Sequence, residues 1–142
     1  MEEIIDYEAP RPKVYKVNAM WLATFLGGPL SAGYIITQNY KAMGEARLAR
    51  ISWTVTLLVS SLLFSIALFV PEDSILSSRF LPILTVIVAQ SLCNRLQGAK
   101  LESYATDSSM YFGWGRVCLI SVIGLLLTFA VFLIVLYLMG EI

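Results

Sequence analysis

Four stretches of this chain, residues 17–40, 51–71, 80–94 and 117–140, contain no Asp, Glu, Lys or Arg. About 20 apolar residues at 1.5 Å rise cover the roughly 30 Å hydrocarbon core of a bilayer. The pattern therefore predicts an all-α fold, a polytopic membrane helical bundle with four hydrophobic segments at about 17–40, 51–71, 75–96 and 117–140. Residues 1–16 read as a polar N-terminal tail and residues 17–142 as one four-helix membrane domain. A chain of 142 residues, 58% hydrophobic and 14% charged, has room for a single domain and lies outside the soluble norm. Ten basic residues balance ten acidic ones, so no charge excess points to nucleic acid, and the expected surroundings are the lipid bilayer.

The tail opens on the acidic MEEIIDYEAP, which lacks the basic flank of a secretory leader, so no cleaved signal is expected. With Pro10 and Pro12 it reads as extended, lying loosely on the membrane surface. Arg11, Lys13, Tyr15, Lys16 and Trp21 have the cationic and aromatic character of a bilayer interface.

The first hydrophobic segment is the unusual one. Its middle carries Gly27-Gly28-Pro29, where proline removes a backbone donor and clashes with the preceding turn, so a kink or break is expected. Carbonyls freed inside a membrane need partners, which places this point against other helices or a water-filled pocket. Ala23, Gly27 and Ser31 recur at four-residue spacing, as do Gly28 and Ala32; with Pro29 and Gly33 they make a small-residue surface for helix packing or partner binding.

The second segment sets Ser52, Thr56 and Ser60 on one line and Ser61 and Ser65 on another, hydroxyls that bond their own backbone or a neighbouring helix. The third is short, about 22 Å as a helix, and needs Ile75 and Leu76 at one end, with Arg79 and Arg95 snorkelling outward, to span. Gln90 and Asn94 share a face of it at i and i+4, and with Asn39 they could line a polar path. In the last segment Cys118, Ser121, Gly124 and Thr128 are expected to face the bundle. Cys93 and Cys118 form no CxxC pair and read as packing residues.

Phe25-Leu26 precedes Asn39 by the spacing at which Phe80-Leu81 precedes Asn94, and Gly44 and Gly98 follow each asparagine. This suggests a parallel internal repeat, each half being span, connector, span. Four full spans place six cations on the connector face, Lys41, Arg47, Arg50, Arg95, Lys100 and Arg116, against four on the other, Arg11, Lys13, Lys16 and Arg79. The positive-inside rule then makes the connectors cytoplasmic and both termini external. A rival reading, in which the GGP segment is a re-entrant hairpin, brings the tail to the connector face and changes the count to nine against one.

The string FLGGPLSAGYIITQNYKAMGEARLAR, followed by RLQGAKLES and GWGR, resembles an uncharacterised group of small bacterial four-span membrane proteins. These share a G-G/S-P-L stretch, an N-Y or N-F with a glycine a few residues on, and a Q-G after a third span. The likeness covers about half the chain; it implies a bacterial inner-membrane setting and lends no function.

Catalysis in a bilayer relies on His, paired carboxylates, a metal or an activated Ser or Cys. This chain has no histidine, and its carboxylates lie in the tail, the loops and the last residues. It is read as no enzyme, with no cofactor and no metal site. Two functions remain: an interaction or accessory subunit packing with itself, as a homo-oligomer, or with another membrane protein, and a small oligomeric channel with its path near the broken segment.

Overall fold

The computed structural model describes residues 9–71, 74 and 80–140. Five α-helices follow in order: α1 (Ala19–Ala42), α2 (Ala46–Phe69), α3 (Leu81–Cys93), α4 (Ala99–Tyr104) and α5 (Trp114–Met139). A π turn, Asn94–Gly98, carries the helical path from α3 into α4, and a 3-10 turn, Ser108–Met110, lies before α5. By length and composition α1, α2 and α5 could each cross a membrane. Ile75, Leu76 and Arg79, expected to extend the third segment, lie outside the described residues, as do residues 1–8 of the tail.

α1 is the hub, because α2, α3 and α5 each pack chiefly on it and little on one another. Its path is set at Gly28, where φ is 70° and ψ is −170°. A positive φ suits glycine, and the following proline, with no N–H to satisfy and φ already fixed, is a natural first residue for a new helix. The chain reverses there. A straight 24-residue helix would hold Ala19 and Asn39 about 30 Å apart. Yet the Tyr15 backbone N–H donates to Asn39 Oδ1 at 2.7 Å, and the chain from Tyr15 to Ala19 reaches at most about 14 Å. α1 is accordingly a helical hairpin with arms 19–27 and 29–42, about 13 and 21 Å long. Ala19, Met20 and Ala23 of one arm share a buried core with Ala32 and Ile35 of the other.

This corrects the expectation of a first segment running from face to face, since both ends of α1 lie at one end of the bundle. The hairpin alternative describes the geometry. The internal repeat fails with it: the first half folds back on itself, whereas α3, the π turn and α4 run on as one helical path.

The reversal is covered by α5. Ser31 Oγ lies 3.2 Å from the Gly27 carbonyl oxygen and 3.3 Å from that of Ile120, sharing its proton between a chain end freed by the break and the neighbouring helix. The helices approach through glycines: a Cβ on Gly27 would sit 2.7 Å from the Ser121 carbonyl oxygen, and one on Gly124 would sit 2.8 Å from that of Gly27. The stripe of α5 that meets α1 is Val117, Ser121 and Gly124, with Thr128 beside Gly28. Cys118, expected on that stripe, is exposed, one residue round the helix from Val117.

On the other side, Gly33 leaves the space that the Thr56 side chain of α2 fills. Thr56 donates to the Ser52 carbonyl at 2.8 Å, and Ser60 is buried further along the same line. Ser61 and Ser65 face outward and bond the carbonyls of Leu57 and Ser61, so these hydroxyls serve their own helix.

Gly124→Ala should push α1 and α5 apart and lower stability by about 1–3 kcal/mol, the usual cost of overpacking. Gly115→Ala, where an added Cβ meets nothing within 4 Å, should be neutral or slightly stabilising. Unfolding in mixed micelles of graded denaturing detergent distinguishes the two.

Candidate functional site

The mouth of the hairpin is closed by the N-terminal segment. Val14 and Tyr15 are fully buried, so the tail expected to lie loosely on the membrane is, from Pro12 onward, an ordered strap. It runs parallel to the loop before α5: Val14 N–H donates to Met110 O at 3.0 Å and Phe112 N–H to Val14 O at 2.9 Å. Tyr104 adds a hydroxyl bond to Pro12 O at 2.9 Å. Lys16 lies over the Tyr111 ring, 5.3 Å from its centroid.

The lock is Asn39. Besides accepting from Tyr15 N–H, its amide donates to Tyr15 O at 3.1 Å and to Gln97 Oε1 at 3.3 Å. A side-chain amide has one accepting and one donating end, which suits it to pair with both backbone groups of an extended residue. Gln97, itself fully buried, donates onward to the Ile36 carbonyl at 2.8 Å. A carbonyl this far along a helix ordinarily bonds within it, so Gln97 ties the π turn to the second arm of α1. Strap, hairpin and α3-to-α4 path thus meet in one buried amide cluster.

Asn39 was paired in the sequence with Gln90 and Asn94. The structure separates them: Asn39 is sealed with no exposed surface, whereas Gln90 and Asn94 line a cavity of about 330 Å³ on another side of the cap, with Lys16, Asn18 and Glu102. No common polar path joins the three. The missed partner is Gln97, which the stripe Ala89, Cys93, Gln97, Leu101 turns toward α1, one position off the line of Gln90 and Asn94. Its place in the QG pair of RLQGAKLES was the available signal.

The small residues of the first segment are consumed by the chain itself. Gly27 and Ser31 meet α5, Gly33 meets α2, and Ala23 and Ala32 lie in the shared core; Gly28 and Pro29 form the reversal. Most of them pack within the hairpin or against α5, while Pro29, Ala32 and Gly33 also line a groove on the flank.

Tyr15 has a second anchor in α5. Arg116 Nε donates to its hydroxyl at 2.9 Å, and the guanidinium lies over the Phe112 ring, 4.2 Å from the centroid. Tyr15 and Phe112 stack at 4.5 Å. Burial pushes the Tyr15 phenol above its ordinary pKa, and the nearby Arg116 charge partly opposes this. The remaining cations of the connector face, Lys41, Arg47, Arg50, Arg95 and Lys100, are exposed. Among the described residues one ion pair forms, Lys100 with Glu45 at 2.7 Å; it is too exposed to weigh heavily in stability.

A larger cavity opens on the flank. α2 and α3 splay apart over the second arm of α1, leaving an apolar groove of about 460 Å³ floored by Pro29, Gly33 and Ile36 and walled by Val55, Thr56, Leu84 and Val88. Among the described residues no group of His, Cys, Asp or Glu could hold a metal. No family model, curated protein or solved structure matches the chain.

Asn39→Ala would orphan the backbone of Tyr15 and the Gln97 amide together. Each unsatisfied buried group costs about 1–3 kcal/mol, so the strap should detach before the bundle unfolds. The expected outcome is faster tryptic cleavage after Lys13 and Lys16 with helix content retained. Asn39→Asp should behave like Asn39→Ala, because the carboxylate keeps the acceptor for Tyr15 N–H but loses both donated bonds; protection equal to wild type would refute the lock.

Proposed function

We propose that this chain is a non-enzymatic integral membrane protein, an interaction or accessory subunit that packs with itself or with another membrane protein. In this reading three segments cross the bilayer, α2, the α3-to-α4 path and α5, and α1 enters and leaves by the same face. The helical path from Leu81 to Tyr104 would be about 35 Å long, enough to span without the residues before it. The cap then collects nine cations, Arg11, Lys13, Lys16, Lys41, Arg47, Arg50, Arg95, Lys100 and Arg116, against Arg79 alone, which favours a cytoplasmic cap. A bacterial inner membrane is the setting that the sequence resemblance suggests.

One observation carries the interaction reading. α2 and α5 bury only 6% and 11% of their most apolar windows, against 50% for α1, and the groove between α2 and α3 stands open toward lipid. A helix in lipid gains nothing by hiding apolar side chains from water, so what fixes α2 and α3 at this separation is packing against whatever lies between them. A transmembrane helix of a partner, or of a second copy, is the occupant we favour. The channel reading has no such support, because Asn39 is sealed away from the cavity that Gln90 and Asn94 share.

Two experiments on a background with Cys93 and Cys118 replaced by Ser test this. A cysteine in place of Ala9 should resist an impermeant maleimide on intact cells and react after permeabilisation; labelling from outside would restore a first segment that crosses. Cysteines at Val55 and Leu92, exposed in the groove, should cross-link to a neighbouring chain in native membranes, while one at Leu126, on the lipid side of α5, should not. Equal yields at all three positions would remove the groove as an interface.

A further inference from the structure

Where the strap passes the end of α1 and the start of α5, it leaves a cavity of about 320 Å³ at the rim of the cap. Lys13, Lys41 and Arg116 line it with Gln38, over a floor of Tyr15 and Phe112. The three cations come from three separate segments, the strap, α1 and α5, and among the described residues no carboxylate lines the cavity with them. The sole ion pair among the described residues, Lys100 with Glu45, lies elsewhere and neutralises none of them.

Three like charges around one cavity repel one another; Arg116 is held by Tyr15 and Phe112, whereas Lys13 and Lys41 form no ion pair among the described residues. The aromatic floor holds Arg116 over Phe112 and excludes water from one side of the cavity, which leaves the charges there less screened. The backbone adds to the same sign: α5 begins here with no side-chain cap and no acidic residue in its first turn, so its unpaired N–H groups contribute positive potential. The walls are nonetheless fixed, since Tyr15 is held by Asn39 and by Arg116. A preorganised, cation-lined cavity with a planar guanidinium and two flexible ammonium groups suits a tetrahedral oxyanion, Arg offering a fork and each Lys a point charge.

We infer that this cavity binds a phosphate group, either the headgroup of an anionic phospholipid or a soluble phosphate compound. The site is independent of the groove between α2 and α3 and stands or falls without it. Arg116 lies in the first turn of α5 and Lys41 in the last turn of α1, so a phosphate held between them would sit where these helices leave the apolar layer.

The full chain in neutral detergent should be examined by native mass spectrometry while short-chain phosphatidylglycerol, short-chain phosphatidylcholine or inorganic phosphate is added in turn. The expected result is a saturable adduct with phosphatidylglycerol or with inorganic phosphate, and a loss of affinity on the order of tenfold or more in Lys13→Gln/Lys41→Gln, each cation near a headgroup contributing comparably. Arg47→Gln/Arg50→Gln removes the same charge outside the cavity and should leave the adduct largely unchanged. Arg116 is spared because it also holds the cap together. Binding of phosphatidylglycerol alone assigns the site to lipid, and binding of inorganic phosphate assigns it to a soluble ligand. No saturable adduct with either, or equal weakening in both double variants, would show a diffuse basic face without a site and overturn the inference.

Discussion

A chain that turns around among apolar helices must find partners for the backbone groups it exposes in turning, and this requirement governs the whole molecule. Gly28 makes the reversal possible and Pro29 restarts the helix with one donor fewer to satisfy. Ser31 meets one of the groups that remain, its hydroxyl serving the Gly27 carbonyl and reaching Ile120 of α5. Close approach is essential, because a hydroxyl on so short a side chain reaches only a helix that touches its own. Gly27 and Gly124 provide that approach by having no side chains where the helices cross. Gly27 and Ser31, which look like part of a docking surface in one dimension, are the inner lining of a turn in three.

The open end of the hairpin poses the converse problem. Two arms that leave the apolar layer side by side tend to splay in water, and the strap prevents this by pairing with Asn39 across 24 residues of sequence. Gln97 adds the third element, so one amide cluster fixes the mouth of the hairpin, the strap and the π turn together. Removing any one of the three would leave buried amides without partners, which is why the cap should behave as a unit.

Much of this could be read in the chain and some of it could not. The apolar runs gave the helices, and Gly27-Gly28-Pro29 marked where the first would break. Whether a break is a bend or a reversal depends on one dihedral angle and on which residues wait at the far end, and neither leaves a local signal. The charge count leaned toward reversal, nine cations against one, more sharply than a straight first span allowed. Asn39 was recognisable as an amide needing a partner, but a search by helical spacing pointed to Asn94 and missed Gln97, because the α3-to-α4 path turns a neighbouring stripe inward. The strap leaves no better signal: Tyr15 looks like an interface residue beside Arg11, Lys13 and Lys16 until the bridge from Val14 to Tyr111 holds the segment in place.

The cover over the reversal also sets an order of events during synthesis. Ile120 of α5, which shelters Ser31, comes 89 positions later in the chain. Until α5 is made, the turn has no lid and its freed carbonyls must be met by something else, whether water in the insertion machinery or a chaperone. The hairpin is therefore translated well before the helix that completes it. A ribosome stalled before codon 120 would hold a nascent chain whose hairpin has been made without the helix that settles it.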